Sequence, residues 1–280
     1  MELDLASLKT WIGRTAEDED IVTPRLVAEY RATLAPALAQ VPDGAAPLAL
    51  HWCLSPSISP LGALGADGHA AKGEFLPPVP LPRRMWAGGS LTTHGPLRVG
   101  DTVRRRSVIA DILVKQGRTG PLCFVSVDHE YSTPRGVALT ERHDIVYRGA
   151  TDAATKPPPP AEPRDADLTW PVEATPTLLF RYSAMTFNGH RIHYDQPYVT
   201  GVEGYPGLVV HGPLQASLMF NLAAELGGAV PAGFRYRGLS PLISGQRFLV
   251  RAVRQPGGGI RCWTENAAGQ ICMAAETVQL

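Results

Sequence analysis

The sequence lacks the cysteine patterns of disulfide-stapled and zinc-binding proteins. Its 280 residues contain four cysteines, and none forms a Cys-x-x-Cys pair. A chain of this length does not depend on disulfides for its core, so the cysteines are predicted to be free thiols in a reducing cytoplasm. The residues concerned are Cys53, Cys123, Cys262 and Cys272.

Charge excess and long apolar runs are also missing. The 26 basic and 26 acidic side chains balance, whereas a nucleic-acid-binding surface is usually accompanied by a basic patch. No apolar run approaches the ~20 residues of a membrane-spanning helix. The N-terminus lacks the basic start and apolar stretch of a secretory signal. The sequence therefore predicts a soluble globular protein without nucleic acid or membrane as partner.

The clearest internal boundary is a proline-rich segment. Four consecutive prolines, Pro157–Pro160, favour an extended, semi-rigid spacer because proline fixes φ and has no N–H donor. The predicted organisation is an N-terminal domain over 1–150, a linker over 151–168 and a C-terminal domain over 169–280.

Each half is predicted to contain helices and a run of antiparallel strands. The apolar segment Pro213–Leu226 predicts a buried helix, because it is apolar on most faces, with proline in its first turn and two glycines after its end. Helices are also predicted over 3–12 and 24–39. Strands are predicted over 85–92, 101–114, 122–132, 137–147, 177–182, 234–241, 246–254, 259–265 and 270–278.

Chemistry-bearing residues concentrate in one short segment after the predicted strand 177–182. It reads Phe-Asn-Gly-His-Arg-Ile-His-Tyr-Asp, from Phe187 to Asp195, and His211-Gly212-Pro213 follows at the start of the buried helix. Histidine exchanges protons near neutral pH. Free amides at a helix start stabilise negative charge. The combination is suited to adding water to an activated double bond.

These motifs resemble the hotdog-fold (MaoC-like) acyl-thioester hydratases and dehydratases. The resemblance is closest to the two-domain branch that includes mitochondrial hydroxyacyl-thioester dehydratases and bacterial mesaconyl-C4-CoA or itaconyl-CoA hydratases. It covers nearly the whole chain, and the segment from Arg83 to Leu91 is similar to the N-terminal domain of that branch. It implies an α+β double hotdog, in which two antiparallel sheets each wrap a helix and the N-terminal copy is degenerate.

The resemblance also implies residue roles. The wider family's motif is Asp-x-Asn-Pro-x-His, and alignment on its last histidine gives His193 the catalytic position. Asn188 then stands where the family has aspartate, and His190 stands where it has asparagine. An amide cannot act as a general base, so Asn188 is expected to orient water or the thioester, or else to be a turn residue. His190 is expected to act with His193 or to orient water.

The remaining candidates concern substrate binding. The backbone N–H of Gly212 is the candidate oxyanion donor. Arg191 is a candidate partner for a substrate carboxylate, with coenzyme A or loop support as alternatives. Asp195 is expected either to fix a histidine tautomer or to cap a helix. Further candidates near the acyl chain are His211, Arg84 and Trp86.

The predicted function is reversible hydration of an unsaturated branched dicarboxylyl-CoA, mesaconyl-C4-CoA or itaconyl-CoA, to citramalyl-CoA. Three alternatives remain: a (3R)-hydroxyacyl thioester dehydratase of fatty-acid synthesis, a hotdog thioesterase, and a non-catalytic acyl-CoA-binding subunit, which the Asn188 departure leaves open. No cofactor is expected beyond the coenzyme A of the substrate, and no metal. The acyl-CoA thioester is the expected partner, and a homodimer is an open alternative to a monomer.

Overall fold

A computed structural model describes residues 3–117, 120–149 and 164–279. Most of the predicted linker, including its four prolines, lies outside the described residues, so the predicted domain boundaries stay a prediction. Among the described helices, none is both long and apolar enough to cross a membrane.

The described chain contains five α-helices, ten β-strands and three 3₁₀ turns. The helices are α1 Leu5–Lys9, α2 Pro24–Leu34, α3 Pro176–Met185, α4 Gln196–Gly201 and α5 Gly212–Gly227. The strands of the first half are β1 Thr15–Ile21, β2 Arg83–Thr93, β3 Thr102–Gly117, β4 Gly120–Thr133 and β5 Gly136–Arg148. Those of the second half are β6 Leu168–Glu173, β7 Gly233–Gly238, β8 Arg247–Arg254, β9 Ile260–Glu265 and β10 Ile271–Val278. The 3₁₀ turns are Leu50–Cys53, Leu61–Ala63 and Arg191–His193.

All ten strands belong to one sheet, in the order β1-β3-β4-β5-β2-β7-β10-β9-β8-β6. Every ladder in it is antiparallel, and the two halves meet where Gly88–Thr92 of β2 pairs with Gly233–Arg237 of β7. The first five strands in this order come from the first half of the chain and the last five from the second. This continuous sheet with a wrapped helix is the predicted α+β double hotdog.

The helix α5 is the centre of the C-terminal half. It packs on β8, β9 and β10, and its residues from Leu214 to Ala224 are all buried. A helix that is apolar on nearly every side is stable only when protein surrounds it. Among the described residues of the first half, the longest helix is α2, which packs against α3 of the other half. The N-terminal copy is therefore degenerate, as predicted.

The predicted strand over 177–182 is wrong, because the segment belongs to helix α3. The side chain of Thr175 accepts a hydrogen bond from the Leu178 N–H, and Pro176 occupies the first turn. Both features favour a helix start. Leu179, Tyr182 and Ser183 form its buried face, and the spacing of 3–4 residues fits a helix. The short apolar run alone did not distinguish the two structures.

The two edge strands of the sheet, β1 and β6, were not predicted. The β1 sequence, Thr-Ala-Glu-Asp-Glu-Asp-Ile, is mostly acidic and exposed, so it carries no apolar alternation. It is held by β3, where Arg104 and Arg106 lie near Glu17 and Arg105 pairs with Asp18 at 3.1 Å. The arginine triplet thus supports a strand edge, with the alternating faces expected for a strand.

A buried carboxylate also joins the halves. Glu141 on β5 accepts hydrogen bonds from Tyr236 on β7 at 2.8 Å and from the Trp52 indole at 2.7 Å. The Glu141 side chain has no solvent exposure. Because an unpaired buried carboxylate is costly, this contact fixes the packing of one half on the other.

We expect residues 164–280, expressed alone, to be insoluble or to unfold without a cooperative transition. The fragment would expose the β7 edge that β2 covers, together with the buried faces of Phe234 and Tyr236, and an exposed apolar edge promotes aggregation. Co-expression with residues 1–149 should recover soluble protein, measured by size-exclusion chromatography and thermal denaturation. A fragment that is soluble and cooperative by itself would contradict the single-sheet interpretation.

Candidate active site

The predicted motif forms a tight loop between α3 and α4. Asn188 follows Phe187, whose φ of 49° is in the left-handed region, and the Asn188 side-chain oxygen accepts from the His190 N–H at 3.0 Å. That oxygen therefore holds a turn, which is a common use of asparagine. The predicted role of Asn188, which is to orient water or the thioester, would use the N–H donors of its side-chain amide. That role stays a prediction.

His193 ends the 3₁₀ turn and is buried, with 6% exposure. Its Nδ1 donates to the Val209 carbonyl at 2.7 Å, so the neutral ring carries its lone pair on Nε2. Burial lowers the pKa of His193 to about 4. At neutral pH this imidazole is therefore an uncharged proton acceptor, as the predicted role requires.

His211 is the residue before α5, and its ring stacks on that of His193, with centroids 3.6 Å apart and planes within 19°. Its Nε2 shares a hydrogen bond of 2.8 Å with the Ser183 hydroxyl. Burial lowers its pKa well below the usual range. This stacking places His193 at the N-terminal end of α5, although the two residues are far apart in sequence.

Gly212 opens α5, where backbone N–H groups have no partner within the helix. A Cβ added to Gly212 would lie 2.7 Å from Cε3 of Trp86, so only glycine fits beneath the indole. Trp86 in turn stacks on Tyr236 at 4.7 Å. The first half of the chain thus contributes a wall at the helix start, which is where the resemblance places the oxyanion donor and the acyl chain.

Arg191 and Asp195 bind each other. Nε and Nη2 of Arg191 donate to one Asp195 oxygen at 2.9 and 2.7 Å. The other Asp195 oxygen accepts from the Tyr198 N–H at 3.1 Å and caps α4. Asp195 therefore caps α4, which is one of its two predicted roles. The other predicted role was to fix the tautomer of a histidine, and these contacts include no histidine. The Arg191 guanidinium also lies over the Tyr198 ring at 4.0 Å, so its observed partners support the loop.

Arg84 lies in a narrow cleft beside the motif. The cleft is lined by Arg84, His190, Asp67, Ile192 and Tyr205, among others. The positive charge of Arg84 is close enough to His190 to contribute to lowering its pKa, after burial and the neighbouring histidines. The predicted substrate-binding residue Arg84 is thus near the motif, although it comes from β2 of the other half.

Sequence reasoning missed Asp67 and His69. The His69 ring lies 4.0 Å from the His190 ring, and His190 lies 5.4 Å from His193. Both missed residues lie in the glycine-rich segment 62–69, and nothing in their own spacing points to the motif more than 100 residues later. Only the folded chain brings them together.

Asp67, His69 and His190 are also the three residues nearest to a metal-binding arrangement, with candidate ligand atoms within 4.8 Å of one another. However, Asp67 and His69 already form a hydrogen bond with each other, because His69 Nδ1 and an Asp67 oxygen lie 2.9 Å apart. The contact is therefore better described as a hydrogen-bonded acid–imidazole pair.

The fold and these motifs place the chain in a family. Residues 49–244 match the family described as hydroxyacyl-thioester dehydratase type 2. The structure is similar to a MaoC-like dehydratase from Phytophthora capsici, with a TM-score of 0.67 and 16% identity over 96% of this chain and 95% of that one. It is also similar to a Mycobacterium tuberculosis protein with a double hotdog fold, with a TM-score of 0.56 and 14% identity over 95% of each chain. The chain belongs to the hydroxyacyl-thioester dehydratase type 2 family of hotdog proteins.

One relative is similar over nearly its full length. Mesaconyl-C(4)-CoA hydratase of Chloroflexus aurantiacus is 41% identical over 277 residues, which are 98% of each chain. The predicted family and its branch are thereby confirmed.

We expect Gly212→Ala to lower the melting temperature, because overpacking a rigid site typically costs about 1–3 kcal/mol. Gly201→Ala is the matched control, since a Cβ there meets nothing within 4 Å. Adding Trp86→Leu to Gly212→Ala should return part of the lost stability, and calorimetry of the double-mutant cycle measures the coupling. Equal stability of the Gly212 and Gly201 variants would contradict the close contact with Trp86.

Proposed function

We propose that this protein catalyses the reversible hydration of a branched, unsaturated dicarboxylyl-CoA, with mesaconyl-C4-CoA as the first candidate substrate and citramalyl-CoA as product. Itaconyl-CoA is the second candidate. The observation that carries the proposal is the stacking of His193 on His211 at 3.6 Å, directly before Gly212 at the start of α5. A proton acceptor thereby lies beside a group of free amides.

The chemistry follows from these two elements. For the α,β-unsaturated mesaconyl-C4-CoA, water bonds through oxygen to the β-carbon of the thioester, one of its O–H bonds breaks, and the electron pair of the double bond moves toward the α-carbon and the thioester oxygen. The Gly212 N–H and the N-terminal end of α5 stabilise the negative charge on that oxygen. The α-carbon then takes a proton, so the sum is the addition of one water. Nε2 of His193 accepts a hydrogen bond from the attacking water and holds that water in place while its proton is transferred in general acid–base catalysis.

Two buried polar atoms support the presence of a polar ligand. Trp86 Nε1 and His211 Nδ1 are among the buried polar atoms of the described residues that have no hydrogen-bond partner. Buried polar groups are nearly always hydrogen-bonded, and both belong to side chains that line the start of α5. A thioester and a water molecule would supply the missing partners.

We assign the distal carboxylate of the substrate to Arg84. Arg191 donates to Asp195 and to the Ala66 carbonyl at 3.0 Å, and a second carboxylate would have to compete with both. Arg84 lines the cleft beside His190. A guanidinium there would hold the carboxylate while leaving the motif loop intact.

The alternatives differ in measurable products. A thioesterase would release free coenzyme A, whereas a hydratase consumes the enoyl absorbance without releasing thiol. A non-catalytic subunit would bind the thioester unchanged; the buried, neutral His193 with its Nε2 lone pair favours catalysis. A (3R)-hydroxyacyl thioester dehydratase would prefer unbranched acyl chains that lack the distal carboxylate.

We expect the purified protein to add one water to mesaconyl-C4-CoA, detected by mass spectrometry. His193→Ala should lower kcat by about 10²–10⁴-fold, the usual cost of losing a general acid–base group. His94→Ala is the control, because His94 is an exposed histidine bonded to Thr140. Release of thiol, or a folded His193→Ala enzyme with wild-type kcat, would contradict the proposal.

We expect Arg84→Met to lower kcat/KM for mesaconyl-C4-CoA about tenfold or more relative to crotonyl-CoA, since a hydrogen bond to a charged group contributes ~1.5–3 kcal/mol. Arg191→Met should lower both values by similar factors, because it weakens the loop. Arg181→Met, on the exposed face of α3, should change neither. A selective loss in Arg191→Met instead of Arg84→Met would reverse the assignment.

A further inference from the structure

The loop 63–71 of the first half carries the acid–imidazole pair of Asp67 and His69 into the active site. It closes on itself through hydrogen bonds from the Ala71 N–H to the Ala63 carbonyl at 2.9 Å and from the Gly65 N–H to the His69 carbonyl at 2.7 Å. Within it, one Asp67 oxygen accepts from the His69 N–H at 3.1 Å and the other lies 2.9 Å from His69 Nδ1. One carboxylate oxygen therefore holds the His69 backbone and the other orients its imidazole.

Backbone contacts dock this loop on the motif. A Cβ on Gly68 would lie 2.0 Å from the Gly189 carbonyl oxygen, and a Cβ on Gly189 would lie 2.7 Å from the Gly68 oxygen. The backbones of the loop and of the motif thus touch at two glycines, where neither residue has a side chain. The Arg191 N–H donates to the Asp67 carbonyl at 2.9 Å, which sets the loop relative to the motif.

We propose that His69, oriented by Asp67, is the general base that receives the proton of the attacking water. This inference rests on the proposed hydration. In the wider family the motif itself supplies an aspartate, and here Asn188 stands at that position. Asp67 restores a carboxylate to the site from the other half of the chain, and acts on the water through His69.

The two imidazoles have different roles, because His69 takes the proton of the water and His193 holds that water through a hydrogen bond to Nε2, and their partners explain the difference. His193 donates its Nδ1–H to a neutral carbonyl, whereas His69 donates to a carboxylate. A carboxylate stabilises the imidazolium that forms when Nε2 takes a proton, so His69 is the stronger base of the two. The side chains of His69 and Asp67 keep 23% and 24% of their surface exposed, so water reaches them, while His193 is buried.

The charges around His69 are consistent with a base that is neutral at rest. Burial and the nearby positive charge of Arg84 lower the pKa of His69, and Asp67 opposes that shift. Asp67 itself is subject to burial, which raises its pKa, but the contacts with His69 hold that pKa well below its usual range. The other titratable groups close enough to interact with the pair include His190, His193, Lys72, Tyr147 and Tyr198. At neutral pH the pair is therefore a carboxylate and an uncharged imidazole.

The step balances in protons and electrons. His69 Nε2 takes a proton as the water oxygen bonds to the β-carbon, and the double-bond electrons move to the thioester. The same proton then passes to the α-carbon, so His69 returns to its neutral form. In the reverse reaction His69 removes the α-proton.

The test compares His69→Gln and Asp67→Asn with wild type on mesaconyl-C4-CoA, itaconyl-CoA and crotonyl-CoA. His69→Gln should lower kcat about 10²–10⁴-fold on the substrate that wild type hydrates fastest. Asp67→Asn keeps an oxygen acceptor but removes the charge; it should lower kcat about tenfold or more and move the acid limb of the kcat–pH profile to lower pH, because the imidazole loses its stabilising carboxylate. His94→Ala should change neither, and calorimetry confirms folding of each variant.

Several outcomes would overturn the inference. A His69→Gln enzyme within threefold of wild type would remove the base role. An Asp67→Asn enzyme with reduced kcat but an unmoved acid limb would reduce the pair to loop support. Loss of wild-type activity on chelation, restored by Zn²⁺, would make the pair metal ligands instead. Wild-type hydration of only crotonyl-CoA would refute the proposed substrate and leave the test of His69 intact, whereas inactivity on all three thioesters would refute both.

Discussion

The pairing of β2 with β7 is the contact on which the arrangement of this site depends. It makes one sheet from two halves of a chain, and it sets Trp86 of β2 over Gly212 of α5. The Trp86 indole lies so close to Gly212 that a Cβ on this glycine would be 2.7 Å from the ring. This close packing restricts sliding of β2 relative to α5. The described residues of the first half contain no helix comparable to α5, but they form the surface that closes the second half.

The same pairing explains why the degenerate half carries polar residues of the site. Arg84 precedes the part of β2 that pairs with β7, and the loop with Asp67 and His69 lies against Gly189. The first half thus contributes a cation, an aromatic wall and an acid–imidazole pair to the site of the second half. Burial keeps His190, His193 and His211 neutral, and the carboxylate of Asp67 makes His69 different from these three.

Much of the architecture was predictable from local sequence. The nearly all-apolar stretch after Pro213 allowed only a surrounded helix, and the alternation along β3, β4, β5, β8, β9 and β10 indicated an antiparallel sheet. The failures have local causes too. The apolar run 177–182 is too short for its period to separate helix from strand, and the threonine–proline start at Thr175 and Pro176 decided for a helix. The acidic β1 strand has no apolar face to reveal it, because salt bridges to β3 hold it in place.

The sequence by itself determined the family, the double hotdog and the identity of His193 as the motif histidine, because a motif and a buried helix are encoded by neighbouring residues. Tertiary structure alone decided what surrounds that histidine. The partner of Arg191 is a nearby residue, yet only the loop geometry turned the guanidinium toward Asp195. The approach of His69 to within 4.0 Å of His190 joins residues more than 100 positions apart. Such a contact depends on two glycine backbones meeting, and no local pattern of side chains records it.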